Sequence, residues 1–256
     1  MPRSRSSEPP RTAALALLLA LSAAAALAKP VLLRETQFIA REVEAGVEVA
    51  FTMAPQGSGT AGDQPMQWRA YDADGRLIAE GAPGYGEVTV RYVPACGGVN
   101  IVRLTGNRNW YDLVPAEGSA ALVAGYGIIA SEFAPMHTCG DERAFHFYVP
   151  RGTERVRVRV LADSPREGVT VRLLDPDGTV VVEVADQFDR AARVEARAAP
   201  GQDGRVWSLR LAPAVGMGFD DVVLWLEEPL PPLVAYDPDT VLRLLRAIPG
   251  ALPAGE

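Results

Sequence analysis

The 256 residues carry 32 acidic and 25 basic side chains, a net charge of −7, two cysteines and two histidines, with enough apolar content for a core. An acidic chain without a basic tract argues against nucleic acid and against anionic membrane surfaces as partners. Lys29 is the sole lysine, and that bias, with the abundance of Ala, Arg, Pro and Gly, suggests a GC-rich bacterial genome rather than any activity.

Residues 1–28 read as a secretory signal. Arg3, Arg5 and Arg11 form the positive region, an Ala/Leu run follows, and Ala26-Leu27-Ala28 supplies a small-x-small cleavage site. The rival reading is an uncleaved anchor, but the run is short of the ~20 residues that span a bilayer. No cysteine follows the site, so a lipid anchor is not supported. Cleavage lowers Lys and Arg from 25 to 22 and the acids from 32 to 31, leaving −9. The expectation is a secreted or periplasmic protein with no membrane span after cleavage.

Period-two patterns then follow in chain order. In "VEVAFTM" Val47, Val49, Phe51 and Met53 share one face, and in "VTVRYV" Val88, Val90 and Tyr92 do. "RVRVRV" sets Val156, Val158 and Val160 against Arg155, Arg157 and Arg159, and "WSLRL" aligns Trp207, Leu209 and Leu211. These are half-buried strands separated by Gly- and Pro-containing turns, the pattern of an all-β sandwich. The pattern also repeats. Gly46 returns as Gly152, and Met66, Trp68 and Ala70 as Val169, Val171 and Leu173. Asp72, Asp74, Gly75 and Glu80 return as Asp175, Asp177, Gly178 and Glu183, and Pro94 and Gly98 as Pro200 and Gly204. Arg103 returns as Arg210 and Asp112 as Asp221, so the offsets drift from 103 to 109 residues and place the insertions in loops. The expected architecture is two tandem β-sandwich domains, jelly-roll or Ig-like, over 29–127 and 128–231. A Pro-rich connector and short helix occupy 232–256, with Val241, Leu244, Leu245 and Ile248 on one face. That helix either docks on its own sandwich or on a partner.

The stretch 144–227 carries an opening aromatic strand, Val149-Pro150-x-Gly152, a strand into Asp-Pro-Asp-Gly at 175–178, and the late strand "VWSLRLAP". In these features it resembles the bacterial pre-peptidase C-terminal domains and related jelly-roll carbohydrate-binding modules. The resemblance implies a secreted, non-catalytic accessory module binding polysaccharide or protein, in some cases with structural calcium.

Cys96 and Cys139, in an exported chain, are expected to pair. The competing use of a thiol, a metal site from His137, Cys139 and His146, matches no familiar zinc spacing. Catalysis lacks a sequence basis. There is no Gly-x-Ser-x-Gly elbow, His146 lies between Phe145 and Phe147, and His137 has no acid at a telling spacing. Each Asp-x-Asp-Gly reads as a hairpin turn rather than a calcium loop, since strand residues stand where further oxygens are needed. No cofactor is expected. Structural calcium stays open, with Asp186, Asp189, Asp220 and Asp221 the carboxylates least explained as turns. The segment most suggestive of binding is Asn107, Arg108, Asn109, Trp110 and Tyr111, where amide and guanidinium donors flank flat rings suited to a pyranose. The expected function is non-catalytic binding of a polysaccharide or envelope polymer. The alternative is a structural or protein-interaction component, with a hydrolase third.

Overall fold

The computed structural model describes residues 32–55, 65–115, 125–140, 142–162, 166–248 and 250–252. The expected signal segment, 1–28, lies outside them. From β1 (Leu32–Val43) the chain runs through β2 (Val49–Pro55), β3 (Gln67–Tyr71), β4 (Leu77–Glu80), β5 (Val88–Tyr92) and the long β6 (Gly98–Pro115). Next come β7 (Tyr126–Ile129), β8 (Met136–Cys139), β9 (Ala144–Val149), β10 (Arg155–Ala162), β11 (Val169–Leu174), β12 (Val180–Asp186) and β13 (Ala192–Arg197). β14 (Arg205–Pro213), β15 (Asp221–Leu226), β16 (Leu233–Ala235) and the helix α1 (Pro238–Ala247) complete the elements named among the described residues. Among the described residues no helix is long and apolar enough to cross a membrane.

All strands belong to one continuous antiparallel sheet that folds over on itself. Two rows of hydrogen-bonded strands emerge from the register. One is β12-β11-β14-β9-β16-β7-β1-β6-β3-β4, and the other is β13-β10-β15-β8-β1-β6-β2-β5. β1 and β6 belong to both, because each uses its two halves differently. Thr36–Val43 and residues 98–105 serve the first row, whereas Leu33, Arg34 and residues 110–115 serve the second. Strands that change sheets do so at bulges. Here the bulge falls between Arg34 and Thr36, with Glu35 in the left-handed region at φ +57°. Gly106 permits the close approach on β6, since a Cβ there would stand 2.3 Å from Tyr111 Cε1 and 2.7 Å from the Glu35 carbonyl.

The period-two faces predict burial well. Phe51, Met53, Trp68, Val90, Val158, Val171, Trp207 and Leu209 all enter one core that draws on both rows. Val47, expected inward, is half-exposed because the strand begins two residues later. The pairings β2–β5, β2–β6, β3–β4, β3–β6 and β1–β6 have counterparts in β10–β13, β10–β15, β11–β12, β11–β14 and β9–β14. The two Asp-x-Asp-Gly turns are alike in detail. Asp72 Oδ1 accepts from the amides of Asp74 and Arg76, and Asp175 Oδ1 from those of Asp177 and Thr179. Gly75 and Gly178 take φ +78° and +82°. One oxygen of each carboxylate is spent on the turn.

α1 lies on the outer side of the first row. Asp237 caps it by accepting from the Thr240 amide at 2.9 Å, with Pro238 in the first turn. Val241, Leu244 and Leu245 pack with Ala40, Val99, Tyr148, Leu233 and Ala235 in a second apolar cluster. Arg243 pairs with Glu42 at 3.2 Å. The helix is thus docked on its own sheet.

The expected Cys96–Cys139 disulfide is not formed. Cys96 sits in the exposed turn that precedes Gly98, opposite Val43 at one end of β1. Cys139 follows Thr138, which lies opposite Leu33 at the other end. Ten residues of strand at ~3.3 Å each separate those ends by roughly 30 Å, whereas bridged cysteines need Cα atoms within about 7 Å.

Candidate functional site

β15 carries the unusual face. In "DVVLWL", Val222, Leu224 and Leu226 enter the core, so alternation turns Asp221, Val223 and Trp225 the other way. On β8, His137 and Cys139 share a face for the same reason, and register places Cys139 opposite Asp221 and His137 opposite Val223. Two titratable groups from β8 thereby meet a carboxylate 82 residues later in sequence.

The bulge of β1 completes this cluster. Arg34 ion-pairs with Asp221 Oδ2, and Glu35 Oε2 lies 3.9 Å from His137 Nδ1. On the other carboxylate oxygen, Asp221 Oδ1, converge the Cys139 Sγ at 3.9 Å and His137 Nε2 at 3.4 Å. His137 is only 3% exposed, and its Nε2 lacks the alignment of a hydrogen bond to that oxygen. The main chain is tied down around it. The His137 amide donates to Gln37 Oε1 at 3.3 Å, and the Asp221 amide donates to Glu167 Oε2 at 2.7 Å. A cleft of about 230 Å³, lined by Glu35, Gln37, Phe133, His137 and Val223, leads to the imidazole.

The neighbouring carboxyls titrate apart. Burial alone would raise Asp221, but the neighbouring His137 ring and the ion-paired Arg34 bring it down to about 2. Asp220 is pushed up to about 6 by burial first, then by the charges of Asp221 and Glu167. Burial, with both aspartates beside it, pushes the Cys139 thiol well up. Cys139 Sγ and one oxygen each of Asp220 and Asp221 lie within 4.8 Å of one another, the only such group of three potential metal ligands among the described residues.

Along the same face of β15 lies an open groove of about 750 Å³. Its lining includes Trp225, Phe133, Arg159, Arg193, Glu227 and Glu228. Phe133 is 95% exposed, and Trp225 is half-buried opposite Arg159. Arg159 and Arg193 both bind Glu227, the latter at 2.9 Å, and hold its carboxylate below the usual range against the opposing effect of burial.

The sequence-predicted sites fare unevenly. Trp110 is half-buried in β6, paired with Arg34. Tyr111 is wholly buried and donates to the Glu35 carbonyl at 3.3 Å, so it offers no face to a ligand. It serves as core packing at the sheet crossover. The side chains of Asn107, Arg108 and Asn109 lie outside the described residues. Asp186 and Asp189 are exposed, Asp186 accepts from the Gln187 amide, and neither joins a group of potential metal ligands among the described residues. Of the trio His137, Cys139 and His146, the first two come together. His146 instead stands on β9, bonded through Nδ1 to Ser208 Oγ at 2.9 Å. The groove was missed, although "DDVVLWLEE" places a Val and a Trp on the face opposite the core, a pattern readable by alternation.

No known family model matches the sequence, those of the pre-peptidase C-terminal domains included. Nor does any curated protein match it. Among solved structures the chain is similar to the M60 catalytic domain with the CBM51-1 and CBM51-2 domains from Clostridium perfringens ZmpB, at 8% identity and a TM-score of 0.27, covering 76% of this chain and 33% of that one. It is also similar to the Arthrobacter globiformis T6 isomalto-dextranase complexed with panose, at 15% identity and a TM-score of 0.24, covering 75% and 35%. The chain spans about a third of each. At those scores the likeness assigns neither fold nor function.

Proposed function

We infer that this chain is a non-catalytic binding module for a polysaccharide or envelope polymer outside the cytoplasm, built by duplication of one sandwich. The ligand lies in the groove along β15. The observation that carries this reading is the exposed Phe133 ring together with Trp225 beside the Arg159–Glu227–Arg193 network. Flat apolar surface next to planar, fixed hydrogen-bonding groups suits the two faces of a pyranose ring. Glu227, held ionised by two guanidiniums, is a poor general acid.

Trp225→Ala and Phe133→Ala test the site on a glycan array and by affinity electrophoresis. Losing one stacked ring removes about 0.5–1.5 kcal/mol beyond the buried area, so affinity falls by roughly tenfold. Trp110→Ala leaves retention unchanged. Binding that survives the loss of both groove rings, or no retention on any glycan, sinks the proposal. A second reading rests on β12, an end strand of its row whose Val180, Val181 and Val184 are exposed. An apolar edge of that kind favours contact with another protein.

A further inference from the structure

We propose that Cys139, Asp220, Asp221 and His137 form a binding site for a divalent transition-metal ion of the zinc class, independent of the groove. Zinc accepts thiolate, imidazole and carboxylate donors together, with bonds of about 2.3 Å to sulfur and about 2.0–2.2 Å to nitrogen or oxygen. In a tetrahedron those lengths make ligand-to-ligand edges of roughly 3.3–3.7 Å. Asp221 Oδ1 already stands 3.4 Å from His137 Nε2 and 3.9 Å from Cys139 Sγ. An Asp220 oxygen lies within 4.8 Å of the Sγ and of an Asp221 oxygen. Three donors therefore already stand around one point, and His137, outside that group but 3.4 Å from Asp221 Oδ1, reaches it by a rotation of its side chain.

Three further features fit a metal better than a plain ionic network. His137 Nε2 is buried and lacks a hydrogen-bond partner, while standing 3.4 Å from Asp221 Oδ1. Arg34 occupies Oδ2 of Asp221 and leaves Oδ1 facing the thiol and imidazole, the arrangement by which outer groups orient a ligating carboxylate. Glu35 stands on the Nδ1 side of the same ring, where a carboxylate favours Nδ1–H and leaves Nε2 to coordinate. The cleft at His137 provides a route in. Calcium does not suit the set, since it takes six or more oxygens. On binding, the Cys139 S–H bond breaks, its proton passes to solvent, and the sulfur electron pair forms the metal–sulfur bond.

The test titrates the full reduced chain with cobalt(II), read by near-ultraviolet absorption and calorimetry, followed by zinc and calcium. One cobalt per chain with a thiolate-to-cobalt charge-transfer band is expected. Zinc displaces it and calcium does not. The band persists in Cys96→Ser and vanishes in Cys139→Ser, and His137→Gln weakens binding at least tenfold. Should Cys139→Ser fail to fold, the half-exposed Asp220→Asn carries the test with an expected loss of at least tenfold in zinc affinity. No band in the unmodified chain, a band that survives Cys139→Ser, or zinc affinity unchanged in Asp220→Asn overturns the assignment. Glycan retention, read in parallel, is unaffected by these substitutions.

Discussion

Asp220 and Asp221 show how neighbours in sequence acquire opposite titration behaviour. Asp220, at about 6, holds its proton more tightly in the folded chain than in the unfolded one. Its contribution to stability is therefore full below the ordinary carboxyl pKa and is lost as pH rises through about 6. Asp221, at about 2, works in the other direction, stabilising above the ordinary value and losing that effect as pH falls through about 2. Removing the first charge isolates it. In EDTA, Asp220→Asn is expected to melt roughly 1–3 °C above the parent at pH 7 and to show a flatter profile between pH 4 and 7. Superimposable profiles would refute this. The sequence marked Asp220 and Asp221 only as carboxylates least explained as turns, and gave His137 no acid at a telling spacing. The acids beside His137 and Cys139 arrive through the β8–β15 pairing, and strand register between distant segments is not written in local spacing.

The strands themselves were legible. Alternation in "RVRVRV" and "WSLRL" separates core from surface because the side-chain period in a strand is two. The Asp-x-Asp-Gly tetrads also read correctly as turns, since each first Asp spends one oxygen on two amides of its own loop. The crossover between rows escaped notice. "NIVRLTGNRNWYDL" looks like a loop with exposed rings, yet it is the middle of an 18-residue strand. Gly106 is what allows β6 to pass so close to the Glu35 bulge. Gly106→Ala forces a methyl into Tyr111 and the Glu35 carbonyl, and overpacking of this kind costs about 1–3 kcal/mol. A lowered denaturation midpoint with an unchanged slope is the expected reading, and an unshifted midpoint would show that the crossover is looser than its geometry implies.

At the scale of the molecule, the repeated pairing pattern suggests two bodies, but hydrogen bonds and core are shared. β1 bonds β6 along one edge and β7 and β8 along the other, and β7 continues into β16 and β9. The disulfide expectation failed at this scale too, since pairing of two cysteines in an exported chain is a statement about chemistry and says nothing of a 12-residue strand lying between them. A fragment beginning at residue 140 lacks β8 and β7, which flank β15 and β16, and β1, which bonds both. It is expected to give no sharp near-ultraviolet dichroism, whereas the chain from residue 29 unfolds in one cooperative calorimetric transition. A fragment that folds on its own, or two resolved transitions in the parent, would establish separable halves.

The sharing of β1 also imposes an order in time. A ribosome delivers the chain from its N-terminus, so β1 through β6 can pair before β7 and β8 exist. Until residue 139 emerges, β1 presents its second edge, a row of unpaired amides and carbonyls, to whatever is nearby. The nascent protein thus passes through a sticky interval that the finished one never revisits. Any holding factor that shields it need act only until two four-residue strands have been made.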